Sequence, residues 1–256
     1  MAKSDLQRKM IKRERLYKDL AWLWPTLSPP EEYIEEGEFL AGMIKSNMDY
    51  NPGTLLHLGC GGGHLDMTLK NHFDITGVDK SEPMLELARK LNPENKYISG
   101  DMRNIRLDSK FDIVLLYDGV NYLTTEGDLK SSFETAYGHL NDRGILLTVV
   151  EQTPSSFRQN RTDVNHRIKD EIELTYIEHY YDSDPGDSEY EITFIYLIRR
   201  DKELAAEFDL HVAGMFEVEV WERLLTETGF SPRQDTFRHS TFSPGEEYPI
   251  LIGLKG

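Results

Sequence analysis

Cysteine is nearly absent. Cys60 is the single one among 256 residues, which excludes an internal disulfide and a cysteine-based metal cluster; no metal site is expected. Long apolar runs are missing too. Stretches such as Ile145 to Val150 are far too short to span a bilayer, and the N-terminus is charged rather than signal-like, so a soluble, cytoplasmic protein without a membrane partner is expected. No repeat or low-complexity tract interrupts the chain, whose length suits one large α/β domain, or a domain with a modest insertion.

Basic residues are few beside acidic ones, 29 Lys and Arg against 45 Asp and Glu, for a formal charge of −16. Such a surface repels a polyanion gripped through its phosphates, so nucleic acid is not the expected partner. One basic stretch runs the other way: residues 1–19 hold Lys3, Arg8, Lys9, Lys12, Arg13, Arg15 and Lys18 against Asp5, Glu14 and Asp19. Leu6, Met10, Tyr17, Leu20 and Trp24 share a helical stripe there, which predicts an amphipathic helix ending before Pro25. Ser28-Pro29-Pro30-Glu31 then reads as a capping box opening a second helix with an apolar face of Tyr33, Phe39, Leu40, Met43 and Ile44.

What is present centres on Thr54-Leu55-Leu56-His57-Leu58-Gly59-Cys60-Gly61-Gly62-Gly63-His64. An apolar run breaking into glycines and then a helix-compatible segment is how a buried parallel strand turns under a nucleotide-like ligand. Glycine there accepts positive φ and lets the backbone approach the ligand. A second apolar strand, Ile75 to Val78, ends in Asp79, where a carboxylate can accept both hydroxyls of a ribose. Cys60 reads as a small residue packed under the loop rather than a nucleophile.

A dinucleotide fingerprint requires glycine at position 64, where His64 stands. The Gly59-x-Gly61-x-Gly63 spacing instead resembles motif I of the class I S-adenosylmethionine-dependent methyltransferases. The resemblance runs from about residue 50 to the C-terminus. It implies a Rossmann-like, seven-stranded α/β methyltransferase sheet with N-terminal lid helices and an antiparallel β insertion. On that reading residues 1–50 form the lid, 51–154 the cofactor-binding core, 155–216 the insertion, and 217–256 a helix and hairpin that complete the core, with Pro232 to His239 and Tyr248 to Leu254 joined through Ser243-Pro244-Gly245.

The same resemblance distributes roles toward S-adenosyl-L-methionine. The loop (Gly59, Cys60, Gly61) cradles it, Asp79 with Lys80 meets the ribose, and Met84 lies against the adenine. Asp101 accepts from the adenine amino group and the Met102 backbone reaches a ring nitrogen, flanked by Gly100 and Arg103. Tyr17, Trp24 and Tyr33 are lid aromatics suited to a sulfonium cation, a contact worth about 0.5–2 kcal/mol. His57 stands where the family most often has Asp or Glu. Two readings stay open for it: a hydrogen bond near the methionine end of the cofactor, or a buried strand-end histidine.

Phe111 to Tyr117 reads as an apolar strand opening into Asp118-Gly119-Val120-Asn121-Tyr122, which places Tyr117, Asp118, Asn121 and Tyr122 near the reacting methyl group. Glu151 ends the next strand at a height where it can orient an acceptor or take a proton. Tyr122, Asp118 and Glu151 are therefore the candidate catalytic residues. The D/N-P-P-Y/F/W motif of amino-methylating nucleic-acid enzymes is missing. Residues 171–181, 189–200 and 204–212 read as a three-stranded insertion, which covers the substrate pocket or makes a homodimer contact, with Tyr176, His179, Tyr180 and Phe194 as acceptor candidates.

These segments are similar to those of small-molecule N-methyltransferases such as the aminosugar N,N-dimethyltransferases. Methyl transfer to a nitrogen or oxygen of a small-molecule acceptor, by orientation and desolvation, is the function the resemblance implies. An RNA or protein methyltransferase steered by the basic N-terminus, and a non-catalytic nucleotide-cofactor-binding protein, are the alternatives.

Overall fold

The computed structural model describes residues 13–243, 245 and 247–256. Leu6, Met10 and the basic residues up to Lys12 of the predicted first helix lie outside the described residues, as does Pro244 of the predicted link.

From Arg13 onward the expected continuous helix is replaced by short turns. Glu14 takes left-handed backbone angles, Arg15–Tyr17 and Ala21–Leu23 are single 3₁₀ turns, and α1 (Trp24–Leu27) carries Pro25 in its first turn instead of stopping before it. Tertiary contacts override the helical stripe: Arg13 bridges to Leu210, and the Glu14 N–H donates to the Leu210 carbonyl at 3.2 Å. Leu16, Leu20, Leu23 and Leu27 are buried against Leu174, Tyr176, Phe194 and Tyr196 of the insertion, each contributing about 1.5–3 kcal/mol.

The expected capping box is also replaced. Ser28 Oγ bonds the Tyr33 hydroxyl at 2.9 Å, and a 3₁₀ turn over Pro30–Tyr33 leads into α2 (Ile34–Ser46) without a side-chain cap.

The core then alternates strand and helix. It runs β1 (Thr54–Leu58), α3 (Asp66–Leu69), β2 (Asp74–Asp79), α4 (Glu82–Leu91), β3 (Lys96–Ser99), β4 (Phe111–Leu116), α5 (Glu126–His139) and β5 (Leu140–Val149). After the insertion come α6 (Val218–Thr228), stopped by Gly229 at φ +108°, and the hairpin β10 (Phe230–Phe237) and β11 (Tyr248–Lys255). The sheet order is β10-β11-β5-β4-β1-β2-β3; β1 to β5 are mutually parallel, and β11 runs antiparallel to β5 and β10.

Strand residues alternate between two packed faces. Leu56, Leu58, Val114, Leu116 and Leu146 meet Phe133 of α5 and Trp221 and Leu225 of α6. Leu55, Ile113, Leu115, Ile145 and Leu147 meet Leu40 and Ile44 of α2 and Leu69 of α3.

The insertion is a separate antiparallel sheet of four strands rather than three: β6 (Thr162–Lys169), β7 (Ile172–Tyr181), β8 (Glu189–Arg200) and β9 (Glu203–Gly214). β6 escapes a hydrophobic-alternation reading because its pattern is inverted. Val164 and Ile168 face outward, while Asp163, Asn165 and Arg167 are the less exposed positions. Among the described residues no helix is long and apolar enough to cross a membrane.

Candidate active site

Beyond the carboxyl ends of β1 to β4 lies a cleft of about 1080 Å³. Its floor is the glycine loop, where Gly59, Gly61 and Gly63 have φ of +80°, +52° and +71°. A Cβ on Gly59 would stand 2.7 Å from Met102 Cε and 3.2 Å from Gly119 Cα, so this close approach requires glycine. The Gly59 N–H donates to the Val78 carbonyl at 2.7 Å, which ties the loop to β2.

Asp79 closes β2 and organises two neighbours. Its carboxylate accepts from the Gly61 N–H at 2.9 Å and the Ser81 N–H at 2.8 Å. Burial raises its pKa while those two bonds pull against the rise. Ser81 caps α4 by accepting from the Met84 N–H at 3.2 Å. Its hydroxyl also donates to the Tyr17 carbonyl at 2.5 Å, fastening the N-terminal segment over the cleft.

Asp101 is clamped by Arg103, whose guanidinium and backbone N–H hold its carboxyl below the usual carboxylate range, and Arg103 reaches on to Asp128 at 3.1 Å. Met102 packs against the loop, and Met84 is fully buried beneath it. Cys60 is buried, and desolvation pushes its thiol well up, so it stays protonated.

His57 is a buried strand residue whose Nδ1 lies 2.7 Å from Asp66 Oδ1, while Asp66 Oδ2 accepts from the Tyr97 hydroxyl at 2.9 Å. Opposite a carboxylate, Nδ1 carries the hydrogen, and the buried Nε2 has no hydrogen-bond partner in the protein. His57 lines the cleft together with Tyr17, Tyr33, Gly59, Cys60, Gly61, Asp79, Lys80, Met84, Gly100, Asp101, Met102, Arg103 and Tyr117. His64 joins them by packing on Trp24 and Tyr33, with ring centroids 5.7 and 5.8 Å away, and burial lowers its pKa to about 4.

A second cavity of about 1160 Å³ adjoins the first, and Tyr17, Trp24, Asp118 and Tyr122 line both. Asn121, Glu151, Arg161, Tyr176, Glu178, Tyr180, Tyr190 and Phe194 are also in its wall. His179 does not: the strand alternation turns it away, and its Nδ1 pairs with Thr162 Oγ1 at 2.8 Å.

The carboxyls of Asp118 and Glu151 hydrogen-bond each other, and Asn121 also bonds Glu151. The accessible surface of Asp118 faces the cavities. Desolvation, then the charges of Glu151 and Glu36, push its pKa well above the usual carboxylate value. Burial pushes Glu36 up to about 7; the hydrogen bond donated by the Tyr117 hydroxyl opposes the rise, and the charge of Glu151 adds to it.

Sequence reasoning missed one more group at this junction. Tyr17 donates to the Tyr122 oxygen at 2.8 Å, Tyr122 meets His211 Nδ1 at 2.7 Å, and His211 Nε2 meets Asp209 Oδ2 at 2.8 Å. Only the alternation of β9 hinted at it, since His211 and Asp209 fall on one face of that strand.

Residues 55–144 match the family model described as a methyltransferase domain. That segment is a methyltransferase domain, and the chain is a methyltransferase. This methyltransferase is 28% identical over 243 residues to a Geobacillus sp. (strain WCH70) protein provisionally named a methyltransferase, covering 90% of this chain and 95% of that one. It is 28% identical over 200 residues to dTDP-3-amino-3,4,6-trideoxy-alpha-D-glucopyranose N,N-dimethyltransferase of Streptomyces venezuelae, covering 72% of this chain and 84% of the relative. Its fold matches that of CalS10, an amino pentose methyltransferase from Micromonospora echinaspora solved with S-adenosylmethionine bound. The TM-score is 0.75 at 18% identity, over 88% of this chain and 92% of the other.

The residues present fit S-adenosylmethionine, the cofactor that the motif I resemblance implies. The loop leaves room that a Cβ would fill, His57 lines the cleft with a buried Nε2 that has no partner in the protein, and aromatic rings of Tyr17, Trp24, Tyr33 and Tyr117 surround the space a sulfonium needs.

Proposed function

We propose that this methyltransferase methylates the nitrogen of an amine on a small molecule, held in the cavity between the core, the N-terminal segment and the insertion. One observation carries the reading. At the junction of the two cavities stand Asp118 and Glu151, with Glu36 close behind, whereas among the described residues Arg161 is the one cation in the second cavity's wall. Carboxyls placed there attract an ammonium and, once it is neutral, accept from its remaining N–H groups. Tyrosines at 17, 122, 176, 180 and 190 supply rings and hydroxyls matched to a polyhydroxylated carrier such as a sugar, in keeping with the aminosugar N,N-dimethyltransferase named above.

S-adenosylmethionine supplies an electrophilic methyl on a sulfonium. The chain supplies alignment. We assign Gly59, Cys60 and Gly61 to cradle the cofactor, Asp79 and Lys80 to its ribose, Met84, Gly100, Asp101, Met102 and Arg103 to its adenine, and His57 to its amino-acid end. Tyr17, Tyr33 and Tyr117 enclose the sulfonium and exclude water. Asp118, Glu151 and Tyr122 face the acceptor. In this division residues 1–50 form the lid, 51–154 the cofactor-binding core, 155–216 the acceptor cover, and 217–256 the completing helix and hairpin. The reading places the enzyme in the cytoplasm, with the outer face of the insertion available to a second copy of the chain.

The test pairs calorimetry with product analysis. Binding of S-adenosylhomocysteine, and methylation of an amino sugar nucleotide but not of its hydroxyl counterpart, is expected. Transfer to the hydroxyl compound, or to RNA, overturns the acceptor assignment.

A further inference from the structure

We propose that Asp209, His211 and Tyr122 form a proton relay that removes the proton from the acceptor nitrogen. The inference rests on the amine reading above and adds the destination of the proton. The geometry is continuous and has one polarity. The Tyr17 hydroxyl donates to the Tyr122 oxygen at 2.8 Å, and the Tyr122 hydroxyl, so engaged, donates to His211 Nδ1 at 2.7 Å. His211 Nε2–H then donates to Asp209 Oδ2 at 2.8 Å. Asp209 and His211 are fully buried, while Tyr122 lines both cavities. A buried carboxylate behind an imidazole fixes the tautomer that leaves the far nitrogen basic, and it stabilises the imidazolium once formed.

In the step, the acceptor N–H proton passes to the Tyr122 oxygen as the Tyr122 proton passes to His211 Nδ1. The N–C bond forms as the C–S bond breaks; the positive charge lost from sulfur is matched by the proton now on His211, paired with Asp209. Tyr122 need not rest as a phenolate, and burial keeps its hydroxyl protonated. Asp209 is held below the usual carboxylate range: burial works to raise it, and the hydrogen bonds from His211 and the Leu16 N–H outweigh that.

The groups facing His211 are Asp209 on its own strand, Tyr17 from the N-terminal segment, Tyr122 from the turn after β4, and the uncharged Phe194 ring of β8 at 4.7 Å. Beyond them, Asp118 and Asp79 act on Tyr17, and Tyr196 lies near Asp209. Arg15 meets Asp209 through its backbone, while its guanidinium is paired with Asp19 and Glu207.

The test begins without catalysis. Isotope-labelled histidine NMR of the wild-type chain with S-adenosylhomocysteine reads the His211 tautomer; a bare Nδ1 with protonated Nε2 is expected, and an Nδ1–H form overturns the relay. His211→Asn keeps a side-chain oxygen for Tyr122 but offers no basic nitrogen. Its kcat is expected to fall about 10²-fold, with KM and S-adenosylhomocysteine affinity unchanged and the acid limb of the kcat pH profile removed. An unchanged pH profile, or equal changes in kcat and KM, marks a merely structural histidine and overturns the proposal. Tyr122→Phe gives the same kcat readout should the asparagine variant fail to fold. Loss of cofactor binding by the wild type, or transfer to oxygen, counts against the underlying amine reading instead; the tautomer is measured apart from both.

Discussion

Tyr17 donates its phenolic hydrogen to the oxygen of Tyr122 at 2.8 Å, with the two rings edge to face and their centroids 5.3 Å apart. One residue belongs to the N-terminal segment and the other to the turn after β4, and both line both cavities. The contact is therefore where cofactor cleft and acceptor cavity share a wall. Ser81 Oγ and the Leu16 N–H to Asp209 bond hold Tyr17 from opposite sides, so the segment is positioned by the core and the insertion together.

Tyr17→Phe keeps the ring and removes the donor to Tyr122. A hydrogen bond of this kind is worth about 0.5–1.5 kcal/mol net, so kcat should drop roughly 3- to 10-fold. S-adenosylhomocysteine affinity should be unchanged, because the ring remains. Steady-state kinetics beside calorimetry separates the two; weakened cofactor affinity with intact kcat would show that the hydroxyl serves the cofactor side.

Asp79→Ala leaves the Gly61 and Ser81 N–H groups without their acceptor and removes the carboxylate assigned to the ribose. Hydrogen bonds to a charged group are worth about 1.5–3 kcal/mol, so S-adenosylhomocysteine affinity should fall about 10- to 150-fold. Calorimetric affinity within twofold of the wild type would remove Asp79 from the cofactor site.

The cleft was legible because its parts are local in sequence. Each parallel strand ends in its own turn, so Gly59, Asp79, Asp101 and Asp118 carry their meaning beside the apolar run that delivers them. Ser81 caps α4 for an equally local reason. What escaped was assembled at long range. His211 lies 89 residues from Tyr122, and nothing near either residue announces the other. The N-terminal stripe pointed to a helix, but Leu16 and Leu20 found their burial on the insertion sheet, whose surface asked for 3₁₀ turns instead. β6 was invisible because its apolar side chains face out, the reverse of the rule by which strands are recognised.

His57→Asn tests the unpaired ring nitrogen. The asparagine amide replaces Nδ1–H toward Asp66 and deletes Nε2, the atom free to accept from the cofactor's amino group. S-adenosylhomocysteine affinity should weaken about 3- to 10-fold, the value of one hydrogen bond. Methylthioadenosine, which lacks the amino-acid end, should bind both proteins alike. Equal weakening of both ligands would make His57 a packing residue of β1.

Glu36 ties the acceptor cavity to pH. Its folded pKa, pushed up to about 7, lies above the ordinary 4.5, so the folded state holds this proton more tightly than the unfolded chain. The resulting stabilisation is fully present below about pH 4.5 and is lost as pH rises toward 7. Asp118 and Glu151, also raised, act in the same direction. Glu36→Gln carries a permanently neutral side chain, so the part of the pH slope owed to Glu36, of order 1–3 kcal/mol, should disappear. The glutamine can still accept from the Tyr117 hydroxyl. Urea unfolding from pH 4.5 to 8 should therefore show the variant gaining on the wild type as pH rises. Parallel curves would mean that Glu36 titrates alike in the folded and unfolded states, and the cavity's acidity would then rest on Asp118 and Glu151.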